Sequence, residues 1–385
     1  MRDFTLIVPT HNRGPLFAAL LSYLETEKAE CHVLVLDSSR PEILTGNRAR
    51  VAASNLDIEF AEFTDINVNE KWRQGAHKVS TPYCALCADD DLVVLEGVRR
   101  CLGVLRTNSK ASAVQGHSFT FLPRPDGDIE LNNIVYFTPT IADATPLKRV
   151  ARLFEQYQAP SYAAFRTPVL QRMFDTLQPI TRILARELLS SALTAIEGQI
   201  IRIPDFSYGR SMGPSADYEH WHPLEWFSKT PDGLFAEYLR YRELMAAAVI
   251  GRSDNDQKPD DVCDILDLIS LRYLVKHAPD SALQFIAEQQ MSGVDFADYW
   301  PSHEIHLPLY AAAGIGSAAV ERPLRSIKLR GHRRSYVLFP SFYAPGGTDS
   351  PRMDKIVQLI DVLDRYRPES VEVSTPKAPH EGVPA

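Results

Sequence analysis

Over its first 229 residues the sequence predicts an α/β fold, an open sheet of mainly parallel strands with helices between them. Three observations predict it. Short apolar runs alternate with segments of helical spacing from Phe4 to Ile203, the pattern of strand–helix–strand units. Three of the runs stop abruptly in polar clusters: Pro9-Thr10-His11-Asn12-Arg13, Asp37-Ser38-Ser39 and Asp89-Asp90-Asp91. Beyond Trp226 the strand-like runs give way to helical spacing, so residues 230–367 read as a mainly helical carboxyl-terminal region.

Phe4-Thr5-Leu6-Ile7-Val8 is the first buried strand. Pro15 opens a helix with Leu16, Leu20, Leu21 and Leu24 on its apolar face, proline being favoured in a helix's first turn. His32 to Leu36 is a second buried strand, and residues 57–63 alternate as a partly exposed one. Asn69 to Val79 reads as a short helix before the strand that meets the Asp triplet. Leu95, Val98, Leu102 and Leu105 have helical spacing, and Ala111 to Phe121 returns to strand. Residues 122–140, rich in Pro, Gly, Asp and Asn, read as loop or hairpin.

Thr167-Pro168 reads as an N-cap followed by an N1 proline, opening a helix through Leu177. A helix over 181–198 offers Ile183, Leu184, Leu188, Leu193 and Ile196 for burial, before the strand Gln199 to Ile203. Further on, Leu234, Tyr238, Tyr241, Met245 and Ala248 step by helical turns, as do Val262, Ile265, Ile269 and Tyr273. Ser281 and Gln284 are spaced as a capping box. Ser350-Pro351 opens a last helix with Met353, Ile356, Ile360 and Leu363 on one face. Residues 368–385 carry Pro and Glu without periodicity and read as a disordered tail.

Bulk composition narrows the function. Hydrophobic content of 45% and charged content of 23% are those of a soluble globular chain. The net charge of −8 argues against a general nucleic-acid binder. The amino-terminal apolar run is too short for a signal peptide and no run reaches spanning length, which together predict a cytoplasmic protein without a transmembrane segment. Five cysteines are sparse and odd in number, which fits reduced thiols. Cys84 and Cys87 fall inside a strand with no second pair nearby and read as buried thiols.

The strand endings carry the chemistry. In an open α/β sheet, ligands sit beyond the carboxyl ends of the strands, so the three polar clusters gather at one edge. Three adjacent carboxylates repel and are costly to bury unpaired. The triplet is either a solvated acidic turn or a place where Asp89 and Asp91 point together at a divalent cation. Mg²⁺ or Mn²⁺ suits the second reading, being bound by one or two carboxylates with substrate phosphates.

Taken in order, these residues resemble the family 2 glycosyltransferases, whose nucleotide-sugar-binding domain has the Rossmann-like A-type fold. The resemblance covers roughly the first 215 residues. Leu6 to Arg13 resembles the family's opening strand and loop. Val35-Leu36-Asp37-Ser38-Ser39 stands where the family has Val-Asp-Asp-Gly-Ser, and Thr81 to Asp91 where it has its Asp-x-Asp strand end. Arg186-Glu187 with Glu197-Gly198, then Ile200 to Pro204 and Tyr208-Gly209-Arg210, resembles the Glu-Asp helix and its following strand. Two departures stand out: Ser38 replaces an acid that commonly contacts the nucleobase, and Glu187 replaces a shorter Asp.

The resemblance implies an inverting, metal-dependent glycosyltransferase moving a sugar from a nucleotide-diphosphate donor to an acceptor hydroxyl. Glu187 is then the general base. Pro9, Thr10, Asn12, Arg13, Asp37, Ser38, Lys71, Asp89 and Asp90 contact the donor, with Arg73 as a further candidate. Asp89 and Asp91 hold Mn²⁺ or Mg²⁺, to which His220 or His222 adds a contact. His117 is a candidate for the acceptor side, while His303 and His306 lack the helical spacing of a zinc site and read as loop. The implied acceptor is a glycan, a lipid-linked or a protein hydroxyl, in bacterial surface polysaccharide, lipopolysaccharide or glycoconjugate synthesis. A homo-oligomer would form through the helical region. Two rivals stand beside this: a non-catalytic nucleotide-sugar-binding scaffold, and a nucleotidyltransferase. The latter is expected to carry a glycine-rich phosphate loop where this chain has Pro9 to Pro15.

Overall fold

A computed structural model describes residues 1–124, 128–135, 138–212, 234–253, 258–277, 327–330, 334–338 and 353–366. The chain alternates as β1 (Phe4–Thr10), α1 (Gly14–Thr26), β2 (His32–Asp37), α2 (Pro41–Ala52), β3 (Ile58–Glu62), α3 (Val68–Lys78) and β4 (Tyr83–Leu86). It continues through β5 (Leu92–Val93), α4 (Leu95–Thr107), β6 (Ala111–Pro123), β7 (Ile129–Val135), α5 (Pro146–Glu155) and β8 (Ala164–Arg166). Then come α6 (Thr167–Thr176), α7 (Ile183–Glu197), β9 (Gln199–Ser211), α8 (Leu234–Ile250) and α9 (Pro259–His277). The last described elements are β10 (Ile327–Arg330), β11 (Ser335–Leu338) and α10 (Met353–Leu363).

One sheet runs in the order β10-β11-β7-β6-β8-β4-β1-β2-β3, with β9 parallel to β6 and β5 antiparallel to β9. Strands β4, β1, β2 and β3 are mutually parallel. Their register aligns Thr10 with Asp37, Asp37 with Glu62, and Ile7 with Leu86. The polar endings therefore share an edge, as expected. The other half of the sheet is mixed, because β8 and β7 run antiparallel to β6.

Alternation along the strands sends side chains to two faces. Ile7, Leu34, Leu36 and Leu86 join a core with residues of α3 and α5 to α9. Leu6, Val8, Val33, Val35 and Cys87 join a second core with residues of α1, α4 and α10. The two faces separate Cys84 from Cys87, and all five cysteines are free. Burial pushes the Cys84 thiol up to about 12, so it is inert at neutral pH.

Several elements differ in detail from the sequence prediction. Phe17 is buried on α1 where Leu16 was expected, and Leu266 of α9 where Ile265 and Ile269 were; Ile265 and, on α7, Ile183 are exposed. Thr167 lies inside α6 behind the N-cap Arg166, and its hydroxyl donates to the Thr81 carbonyl at 2.7 Å. Strand β9 lies close against β6 and α4 because two positions lack a side chain. A Cβ on Gly116 would come within 2.1 Å of the Asp205 carbonyl, and one on Gly97 within 1.9 Å of that of Phe206. No helix among the described residues is long and apolar enough to cross a membrane.

Candidate functional site

The loop after β1 and the loop after β2 are laced together. Asn12 takes positive φ, 58°, which Asn tolerates better than most residues. Its backbone N–H donates to Ser39 Oγ at 2.8 Å, and its side-chain oxygen accepts from the Arg40 N–H at 2.9 Å. The Nδ1–H of His11 donates to the Ser38 carbonyl at 2.8 Å. Beneath these loops Lys71 of α3 is buried and donates to the Thr10 carbonyl (3.2 Å) and Ser38 Oγ (2.8 Å). Burial holds its pKa below the usual lysine value, against the charges of Asp37 and Asp89. Arg73, by contrast, pairs with Glu70 at 2.6 Å and lies 3.7 Å from Asp175, away from this cluster.

Asp37 sits at this edge but faces inward. It is fully buried, and its oxygens accept from the Ser39 N–H (2.7 Å) and Asn47 Nδ2 (2.8 Å). Its structural work is to fasten the end of β2 to α2.

The three carboxylates have three different surroundings. Arg13 reaches Asp89 at 3.3 Å and the half-exposed Asp90 at 2.8 Å. Asp89 is 3% exposed, and the equally buried Thr10 hydroxyl beside it favours its charged form. Burial raises its pKa to about 6. Asp91 accepts from the Tyr208 hydroxyl and, at 2.7 Å, from the Ser211 N–H. Burial, with the charge of Asp90, pushes Asp91 up to about 7. Asp91 thereby ties β9 to the end of β4. Among the described residues no group of three or more His, Cys, Asp and Glu side chains is placed to hold a metal ion.

Glu187 lies one turn into α7. The Tyr157 hydroxyl donates to its Oε1 at 3.1 Å and sits 3.1 Å from Ser191 Oγ. The Tyr157 ring is held against Phe154 (5.6 Å between centroids) and Tyr273 of α9 (5.3 Å). Glu187 reaches solvent, yet its carboxyl is recessed in a cleft, and burial raises its pKa above the ordinary carboxylate range. The charge of Arg210, at the end of β9, acts on Glu187 and on Asp91 alike. Tyr157, Tyr208, Tyr162 and Arg210 complete the site; only Tyr208 and Arg210 stood in a motif legible in sequence.

Other candidates fall elsewhere. His117 is buried beside Phe206, ring centroids 5.9 Å apart. Asp175 contacts His77 at 2.9 Å, and Asp205 pairs with Arg100 and Lys355. His220, His222, His303, His306, the pair Ser281 and Gln284, and the tail from 368 lie outside the described residues.

No protein-family model and no curated protein matches the sequence. Solved structures are similar to it. S. aureus TarS 1–349 in complex with UDP-GlcNAc superposes with a TM-score of 0.51 and 14% identity, over 78% of this chain and 78% of that one. A second structure of TarS 1–349 gives 0.48 and 14%, over 73% and 74%. A mannosyltransferase from Pyrobaculum calidifontis in complex with GDP-Man and Mn2+ gives 0.42 and 15%, over 84% and 82%. The first of these carries the assignment: this chain has the A-type glycosyltransferase fold.

Proposed function

We propose that this chain is an inverting glycosyltransferase that uses a nucleotide-diphosphate sugar and a divalent cation to glycosylate an acceptor hydroxyl. The observation that carries the reading is Asp89, a carboxylate buried at the strand-end edge beside the Thr10 hydroxyl and an Arg13 guanidinium that it shares with Asp90. Charge taken out of water is costly unless it is paired, and one guanidinium between two carboxylates leaves them short of positive charge. An all-oxygen donor set at a strand-end edge suits Mg²⁺ or Mn²⁺, which takes one or two carboxylates with phosphate oxygens. Asp89 would hold the cation, with Asp90 beside it. Such a cation supplies charge neutralisation to the leaving diphosphate.

The chain's own groups do the rest. Arg13 adds positive charge where the diphosphate would lie, and the loops fastened by Asn12, Ser38 and Lys71 shape the nucleoside end. Glu187 takes the acceptor's proton as the hydroxyl oxygen forms its bond to the anomeric carbon. The carbon–oxygen bond to the diphosphate breaks on the opposite side, and its electron pair leaves with the nucleotide. A single displacement of this kind inverts the anomeric centre. Tyr157 orients the carboxylate. The biological setting we infer is cytoplasmic synthesis of a bacterial surface glycan or glycoconjugate.

The test is a screen of UDP-, GDP- and dTDP-sugars for hydrolysis with Mn²⁺ or Mg²⁺. Turnover abolished by EDTA is expected. In calorimetry Asp89→Asn should lose metal-dependent diphosphate binding while its melting temperature holds. Asp91→Asn should melt earlier, since a buried bond from Tyr208 is weakened. A chain that binds diphosphate without turning over any donor would be the scaffold; one that binds none overturns the reading.

A further inference from the structure

Beside Glu187 the structure holds a cavity of about 220 Å³. That is several times a water molecule's share of about 30 Å³, so it has room for a multi-atom group. Trp72, Leu86, Tyr162, Phe165, Met173 and Phe174 line it, together with polar groups of α7. Two stacked rings connect its wall to the triplet. Tyr162 stacks on Tyr208, with centroids 4.0 Å apart and planes at 10°, and Tyr208 holds Asp91.

Several polar groups in the wall are already engaged by the protein itself. Arg186 donates to the carbonyls of Leu177 (2.6 Å) and Ile180 (2.8 Å). Ser190 Oγ donates to the Glu187 carbonyl, and Thr194 Oγ1 to that of Ser190, each at 2.8 Å. Asn69, Ser161, the Glu187 carboxylate and the rest of the Arg186 guanidinium remain for a ligand at the polar side. Sugar hydroxyls turned instead toward Leu86, Phe165, Met173 and Phe174 would be left without partners, which weakens binding. An apolar substituent has no such cost, and it gains by leaving water.

Building on the glycosyltransferase reading, we propose that this cavity selects a sugar carrying a deoxy or acylamino substituent, whose methyl group packs against Trp72, Met173 and Phe174. Donor and acceptor sugars both reach Glu187, so the test has two arms. The donor arm compares hydrolysis of UDP-glucose with UDP-N-acetylglucosamine, and of GDP-mannose with its 6-deoxy form, GDP-rhamnose. The acceptor arm compares transfer to p-nitrophenyl glucoside and N-acetylglucosaminide, and to p-nitrophenyl galactoside and its 6-deoxy form, the fucoside.

On one arm, kcat/KM should favour the substituted member by about tenfold or more, the usual effect of a methyl-sized group in an apolar pocket. Trp72→Ala and Met173→Gln should each bring that ratio toward one, leaving UDP and GDP affinity unchanged. Met173→Gln keeps the shape of the site, and Thr194 Oγ1, now 3.8 Å from the Met173 sulfur, would meet an amide instead. It therefore serves if the tryptophan variant fails to fold. Ratios near one on both arms overturn the proposal, as does a preference that Met173→Gln leaves intact. Absence of any turnover and of any diphosphate binding would instead bring down the glycosyltransferase reading on which it rests.

Discussion

Glu187 must be ionised to accept a proton, and its recess holds its pKa above that of an ordinary carboxylate. The rate should therefore climb with pH along an acid limb lying above the usual Glu value of about 4.3. Tyr157 favours the charged form by donating to it. Tyr157→Phe should thus move the limb to higher pH while donor affinity holds. Glu187→Gln cannot accept the proton and should lose roughly 10²–10⁴ in rate, with no limb left. A pH–rate profile of the three proteins checks this, and a Glu187→Gln enzyme with near-native turnover would refute the role. The sequence pointed to Glu187 because it stands before a turn glycine and a strand in a familiar order. It was silent on Tyr157, since nothing in a lone tyrosine 30 positions upstream says where its hydroxyl ends. Asp91 shows the same limit. Three adjacent acids are visible in a line of text, but the Tyr208 hydroxyl that holds one of them is 117 residues distant.

Elements were legible where an apolar period or a cap announced them. Helix α3 begins at Val68 rather than at the Asn69 read from sequence, and its cap Asn67, which accepts from the Glu70 N–H at 2.9 Å, was not recognised. Helix α2 went unread because its surface is polar and it buries Asn47 alone. Helix α5 opens with the same Thr-Pro pair as α6, but it follows a stretch whose Pro, Asp and Asn read as loop. Helix α7 starts without a side-chain cap of its own. Glu237 of α8 supplies one, accepting from the N–H groups of Thr181 (2.7 Å) and Arg182 (2.9 Å). At the other end Glu197 of α7 is gripped by Arg172 (2.6 Å) and by Arg252, just past α8 (2.5 Å). Helix α8 thus braces the helix that carries Glu187. Glu237→Ala should cost about 1 kcal/mol, the usual worth of a cap, whereas Glu237→Gln keeps an acceptor and should cost less. Thermal melts of the two variants decide it; equal melting for wild type and Glu237→Ala would show that the contact does not brace the helix.

At the scale of the whole molecule, the change of texture beyond Trp226 suggested an appended helical region. The buried side chains of α8 and α9 tell against independence. Tyr238, Tyr241, Met245, Val249, Val262 and Leu266 lie in the same core as Leu188, Leu193 and the sheet residues Ile7 and Leu36. Periodicity could show that these helices have apolar faces, but not which surface those faces cover. Each such side chain is worth about 1.5–3 kcal/mol when buried. Six of them together are comparable with the about 5–15 kcal/mol by which an entire domain is stable. A chain ended at residue 229, the boundary suggested by sequence, would lay the outer faces of α5 and α7 open to water. It should lose its soluble, cooperative melt, and the Glu187 site should lose Tyr273 and its brace together. Soluble yield and a thermal melt of that shortened chain, beside the full one, give the answer. If the shortened chain melts cooperatively near the temperature of the full chain, the helical region is an addition to the fold, and the catalytic helix is held from within the first 229 residues.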